Sequence, residues 1–274
     1  MKNRTAANNN LRAVASFDVP PAMGSVSQGD ALGFLKSLPG DSAEVLFLDP
    51  PFNLGKRYSK RGRQIDLLPE EEYRKWMKMV LNESTRVVSP GGALYLYHLP
   101  RWAMLFGSEL SSSLVFQHWI AISMKNGFVR GRHLYPAHYA LLMFTKGIPK
   151  RFERPKLTPQ KCRSCGELIK DYGGYRRIIE EKGINLSDFW DDLSPVRHAN
   201  RKNRSANELP SRLFERVIAL SGKPGDLYVD PFVGAGNGVI AALNAGLRFA
   251  ACDLLSENCR IVVERVRQSR SKVA

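Results

Sequence analysis

The chain has 274 residues, an ordinary apolar share of 43%, and 41 Lys and Arg against 26 acidic residues, a formal net charge of +15. This length accommodates one large α/β domain with a small insertion. The apolar runs all fall short of the ~18–20 residues that cross a bilayer, which excludes a membrane-spanning helix. The basic excess favours a polyanionic partner, because each phosphate neutralised by Lys or Arg releases condensed counterions.

The N-terminus, MKNRTAANNNLRAVAS, is polar and lacks the apolar segment of a secretion signal. Residues 1–24 are expected to be loosely ordered and residues 25–274 to form the domain. Four cysteines (Cys162, Cys165, Cys252, Cys259) do not make a disulfide framework, so a cytoplasmic setting is expected. From about 25 to 147, strand-like and helix-like patterns alternate. The run AEVLFLDPPF ends a continuous apolar strand, Val45 to Leu48, at Asp-Pro-Pro; such runs suit strands buried on both faces of a parallel sheet. Next, PEEEYRKWMKMVLNESTRVV places Tyr73, Trp76, Met77, Val80 and Leu81 on one helical face. Pro69 and three glutamates stand at the positive end of its dipole. SPGG then reads as a turn, and ALYLYH, HWIAISM and YALLMFTKG as strands. Residues 147–206 change character, with 14 Lys and Arg against 8 acidic residues and weak periodicity; they read as an inserted recognition region rather than more sheet. The last stretch returns to α/β: an amphipathic helix in LPSRLFERVIALSG, strands in DLYVDPF and RFAACDL, and between them a helix ended by Gly246. The whole predicts a doubly wound, mostly parallel α/β sheet.

Two motifs carry chemistry. Asp230-Pro-Phe-Val-Gly-Ala-Gly-Asn-Gly238 directly follows a strand. Glycines at a strand-to-helix turn let the backbone approach a ligand and aim free amides at it. Asp253, closing the next strand, suits the two hydroxyls of a ribose, and together they describe a nucleoside site. The DPF opening does not fit the dinucleotide fingerprint. The second motif, Asp49-Pro50-Pro51-Phe52, ends another core strand. Its prolines lack N–H donors, so the local carbonyls are left to accept. With Asp49 they suit an –NH₂ group, and Phe52 offers a flat face to a ring.

With both motifs in view, the sequence resembles the beta-class, permuted DNA amino-methyltransferases. In that family D/S/N-P-P-Y/F is the catalytic motif, D-x-F-x-G-x-G binds S-adenosylmethionine, and the target-recognition region lies between them. Here the order is 49–52, then 147–206, then 230–238. The resemblance implies catalytic roles for Asp49, Pro50, Pro51 and Phe52. It also implies cofactor contacts from Asp30 in QGDAL, from Asn207 and Leu209 in NELPSR, and from Asp230, Phe232, Gly234, Gly236 and Asp253. In AHYALLMFTKG it suggests His138 or Tyr139 beside a flipped target base. The sequence departs from relatives at Leu209, where Lys is common, and at Asn237-Gly238, where two threonines are common.

The implied reaction is methyl transfer to adenine N6 after base flipping, with cytosine N4 as the alternative. The aspartate of the motif leans toward adenine within the family. Rivals from other classes are a methyltransferase acting on RNA or protein amides and a non-catalytic DNA-binding protein on a decayed methyltransferase fold. Double-stranded DNA is the implied partner and no membrane is expected; the resemblance also allows a homodimer and a cognate restriction endonuclease acting on the same site. Lys56, Arg57, Lys60, Arg61 and Arg63 follow the catalytic motif with no acidic residue among them and are expected to clamp DNA backbone. Cys162-x-x-Cys165 looks like half of a structural zinc site, but such a site wants four ligands, no second C-x-x-C exists, and His198 adds a third only if the fold allows; no metal site is assigned.

Overall fold

The computed structural model describes residues 11–19, 22–55, 67–123, 132, 134, 136–162, 164–169, 172–193 and 208–271. The chain opens with an antiparallel pair, β1 (Arg12–Val19) and β2 (Ala22–Gln28). The expectation of a loosely ordered start therefore does not hold for residues 12–19. After a register shift between Ala13 and Ala15, the inward Ala15 and Phe17 alternate with the exposed Val14, Ser16 and Asp18, the period of a half-buried strand. Phe17 is buried and packs 6.0 Å from the ring of Phe249.

Asp30 caps α1 (Ala31–Ser37), its carboxylate accepting from the N–H groups of Leu32 and Gly33. The continuous apolar run becomes β3 (Ala43–Leu48), with Val45 to Leu48 fully buried. Then comes α2 (Glu70–Val87), begun by Pro69 and three glutamates, which buries Tyr73, Met77, Val80 and Leu81 as the spacing predicts. The expected turn at SPGG lies instead inside β4 (Val88–His98). There Gly91 takes φ +76°, the register against β3 shifts, and Gly91 N–H reaches Lys146 O at 2.7 Å. These glycines form a bulge that lets the strand continue. Next are α3 (Pro100–Leu110), β5 (Val115–Ser123) and β6 (His138–Thr145).

The basic segment holds β7 (Lys156–Leu157), α4 (Arg176–Lys182), β8 (Ile184–Asn185) and β9 (Phe189–Trp190). β7 and β8 form a separate two-stranded sheet, but β9 adds to the main one. The segment is thus part sheet, contrary to the composition-based expectation. Trp190 explains why: it is 1% exposed within the main core, and its indole N–H donates to Ser187 O at 2.8 Å. The rest of the chain forms α5 (Ser211–Ser221), β10 (Leu227–Asp230), α6 (Asn237–Asn244), β11 (Arg248–Asp253) and α7 (Ser256–Ser271). Arg216 of α5 makes a two-pronged ion pair with Asp192, and its guanidinium lies 5.2 Å from the Trp190 ring centre. This arrangement fastens the end of the basic segment to the body.

The main sheet runs β1-β2-β11-β10-β3-β4-β6-β5-β9. The neighbours from β2 through β4 are all parallel, and antiparallel pairing is confined to β1–β2, β4–β6 and β6–β5. One face is covered by α5, α6 and α7, whose Val217, Val239 and Val262 are fully buried with Val45 and Phe47. The other is covered by α1, α2 and α3, through Leu35, Met77 and Phe106 against Leu46, Leu48 and Leu94. This is the expected doubly wound sandwich.

Candidate active site

From β10 the chain proceeds through α6 to β11, and from β3 through α2 to β4, so the two units wind away from each other on opposite faces. The crevice between β10 and β3 is therefore a topological switch point, where open α/β sheets bind ligands beyond their strands' carboxyl ends. Four successive parallel strands, β2, β11, β10 and β3, end at or just before an aspartate: Asp30, Asp253, Asp230 and Asp49 respectively. Residues from opposite ends of the chain thus share one rim. Asp49 and Asp230 line the same cleft, together with Glu208, Leu209, Phe232 and Asn237.

One side of the cleft rests on two glycines in the left-handed region, Gly234 at φ +53° and Gly236 at +81°. A Cβ on Gly236 would approach Val262 to 2.9 Å, so the turn is shaped for backbone alone. Asp253 holds this turn from the next strand, accepting from Gly234 N–H at 3.0 Å as well as from Leu255 N–H and Asn258 Nδ2. Asp230 is buried, accepting from Phe232 N–H and Tyr228 Oη, both at 3.0 Å. Burial lifts its carboxyl from the ordinary 3.8 to about 7, against the lowering effect of those hydrogen bonds and with smaller upward contributions from Asp49 and Asp253. Asp30 stands beside Asp253, since Gly29 N–H donates to Asp253 O at 3.0 Å.

On the β3 side, Pro50 and Phe52 are buried and Asp49 and Pro51 are half-buried. Phe52 lies 5.9 Å from both Tyr97 and Tyr139. The Tyr139 hydroxyl is raised above its usual pKa by burial and then by the Asp49 charge, as is that of Tyr97. Tyr139 therefore stands on the side of β6 that meets Phe52 and Asp49. His138, its neighbour on β6, points to the other face by strand alternation and is not brought into this group. Asn53 is tied to Leu68: it accepts from Leu68 N–H at 2.7 Å and donates to Leu68 O at 2.9 Å. Lys56, Arg57, Lys60, Arg61, Arg63 and Asn207, and His198 of the cysteine question, lie outside the described residues.

Several residues at the site escaped the sequence reading. Asn237 donates through Nδ2 to Glu208 Oε1 at 3.0 Å and to Leu209 O at 2.7 Å, tying the NELP element to the glycine turn. Its place, where relatives carry threonine, was the available signal. His98 and Tyr73 left none: His98 stacks on Phe52 at 4.8 Å, and Tyr73 Oη donates to Pro51 O at 2.6 Å. Among the described residues, no group of three or more His, Cys, Asp or Glu side chains is arranged to hold a metal, and no helix is long and apolar enough to cross a membrane.

A sequence profile of the family described as DNA methylase, of the N6/N4 type, matches residues 43–264. The chain therefore belongs to the N6/N4 DNA methylase family. It is 38% identical over 246 residues to the type II methyltransferase M.BamHI of Bacillus amyloliquefaciens, covering 89% of this chain and 57% of that protein. To the type II methyltransferase M.HpaI of Haemophilus parainfluenzae it is 33% identical over 215 residues, covering 76% and 62%. The chain thus spans about three fifths of the length of these curated relatives. The solved M1.HpyAVI–SAM complex shares its fold, with a TM-score of 0.59 at 17% identity, covering 89% of this chain and 99% of that one.

Proposed function

We propose that this chain is an S-adenosylmethionine-dependent methyltransferase of duplex DNA that modifies an exocyclic amino nitrogen. The observation that carries this reading is the shared cleft: Asp49 of the acceptor-rich loop and Asp230 of the glycine turn open onto it from adjacent strand tips. The residues suit the cofactor. Asp230 and Glu208 are buried carboxylates at the cleft, a lining that favours a sulfonium and an ammonium. The open backbone at Gly234 and Gly236 suits close approach of the same molecule, and the row toward Asp253 and Asp30 offers acceptors for a ribose and an adenine. Tyr139 would line the target-base pocket with Phe52, and the five cations between Asn53 and Leu68 would grip the DNA backbone.

When bound, S-adenosylmethionine supplies an electrophilic methyl carbon on a positive sulfur. Asp49 and the Pro50 carbonyl would accept the two amino protons of the flipped base. This localises a lone pair otherwise delocalised into the ring and aims it at that carbon. With that methyl group supplied, Asp49 would receive the proton that the amino nitrogen must shed on gaining a new substituent. Flipping costs a few kcal/mol of pairing and stacking; contact with Phe52 would offset about 1–3 kcal/mol.

Adenine N6 is the first reading, from the aspartate of the catalytic motif. Cytosine N4 is the second, because a pocket of acceptors grips only the –NH₂ group that both bases present. Incubating the protein with labelled S-adenosylmethionine and unmethylated duplex DNA, RNA or protein, then separating the nucleosides, tests all of this. N6-methyladenine in DNA is the expected product. N4-methylcytosine would replace the base assignment, and label confined to RNA or protein would overturn the substrate. Cofactor binding without transfer would favour a non-catalytic DNA-binding role.

A further inference from the structure

We propose that Tyr73 and His98 are positioning residues that hold the Asp49–Phe52 loop in its reactive shape. The proposal rests on the methyltransferase reading above and deepens it.

A loop containing Pro50 and Pro51 has a particular weakness. Neither proline has an N–H, so the loop cannot be pinned through its own amides there, and its carbonyls need donors from elsewhere. The Pro51 carbonyl receives one from Tyr73 Oη at 2.6 Å. The same hydroxyl lies 2.7 Å from His98 Nε2. A tyrosine hydroxyl has one proton; having given it to Pro51, it must accept from His98. That requires the tautomer with hydrogen on Nε2. The other ring nitrogen agrees, because His98 Nδ1 accepts the N–H of Leu99 at 2.8 Å. Every proton in the chain Leu99 N–H to His98, His98 to Tyr73, and Tyr73 to Pro51 then has one place, and the relay runs in one direction.

The relay is buried. His98 is fully enclosed and Tyr73 is 2% exposed. Burial drives the imidazole's pKa down to about 3, so His98 stays neutral through the working range and is no proton acceptor for the reaction. What it contributes is geometry. Its ring stacks on Phe52 at 4.8 Å with 26° between planes, while Tyr73 packs edge-on to Trp102 at 4.8 Å. One pair of side chains, from α2 and the end of β4, thereby fixes both the Pro51 carbonyl and the Phe52 ring. Occupying the Pro51 carbonyl separates it from the Pro50 carbonyl, which the mechanism assigns to the target base.

The test compares Tyr73→Phe, His98→Gln and His98→Ala with the wild type. Tyr73→Phe removes one oxygen and little volume. Glutamine can keep a donor near the Nε2 position; alanine loses both the donor and the stack. With saturating labelled S-adenosylmethionine and unmethylated duplex DNA, kcat of Tyr73→Phe is expected to fall about 10–100-fold, the scale of a small misplacement of reacting groups. KM for the cofactor, and its Kd by calorimetry, should stay within about twofold, because the pair does not touch the glycine turn. His98→Gln should retain more activity than His98→Ala. A Tyr73→Phe enzyme with kcat within twofold of wild type, even if it melts earlier, overturns the proposal in favour of a purely structural hydrogen bond. Parallel losses in cofactor affinity and kcat overturn it as well. Should Tyr73→Phe fail to fold, His98→Gln against wild type carries the same comparison. A wild-type chain that binds cofactor but methylates no DNA overturns the underlying reading and this proposal with it; an active wild type with unaffected variants overturns the proposal alone.

Discussion

The strand-tip cleft and the basic segment that follows β6 are built in two different ways. The cleft is made by backbone. Its aspartates end parallel strands, its glycines take positive φ, and its prolines remove donors. Each of those demands restricts which residue can stand at one position. The basic segment is defined by charge, and charge restricts nothing so local: a lysine serves a phosphate about equally well from several neighbouring positions. The contrast is not complete, because the segment also contributes to the body through Trp190 and Asp192.

Four measurements put that contrast at risk. The largest effect is expected from Asp49→Ala, which should cut methyl transfer by about 10²–10³-fold or more, as for removal of one preorganised polar group at a reacting centre. Calorimetry should still show S-adenosylmethionine bound; transfer at the wild-type rate would take Asp49 out of the mechanism. Trp190→Ala comes next. If β9 belongs to the core, urea denaturation should show a loss of about 3–5 kcal/mol, whereas a change under ~0.5 kcal/mol would return β9 to the surface.

The third concerns Asp230. Its carboxyl titrates higher in the folded protein than the ordinary 3.8, at about 7, so the native state holds a proton that the unfolded chain has released. Stability should therefore decline as pH rises across that interval and level off above it, by at most about 4 kcal/mol at ~1.4 kcal/mol per pKa unit. Melts of the ligand-free protein against pH should show this slope, and Asp230→Asn should lose it. The smallest effect is expected from neutralising Lys56, Arg57, Lys60, Arg61 and Arg63 together. DNA binding should weaken about equally for all sequences, and the dependence of log K on log salt should flatten by about 0.9 for each phosphate no longer neutralised. An unchanged salt slope would remove these residues from the interface.

Legibility in the sequence followed the range of the interaction. Asp49–Phe52 and Asp230–Gly238 could be read because each is a single turn written in adjacent residues. The buried face of α2 could be read because helical period repeats within one segment. β1 offered only a short signal, because an apolar Val14 stands on its exposed side and the alternation holds only around Ala15 and Phe17. SPGG misled because glycine and proline mark bulges as well as turns. Tyr73 and His98 are 25 positions apart, and Glu208 and Asn237 are 29 apart. Such pairs have no local signature, since the partner is chosen by the fold. His138 and Tyr139 show the remaining limit: adjacent in sequence, they point to opposite faces of the sheet, and only the register decides which one meets Phe52.

The interleaved strand order also governs how the molecule comes into being. β2 and β3 are neighbours in the chain, yet the two strands that lie between them, β10 and β11, come from the last fifty residues. Until those residues are in place, the gap between β2 and β3 is open and each of the two strands keeps an unpaired edge. Mending that gap and assembling the cleft are one event. An intermediate short of β10 has no half-formed pocket to test, and its open edges are the places where a chaperone, or another unfinished chain, would take hold.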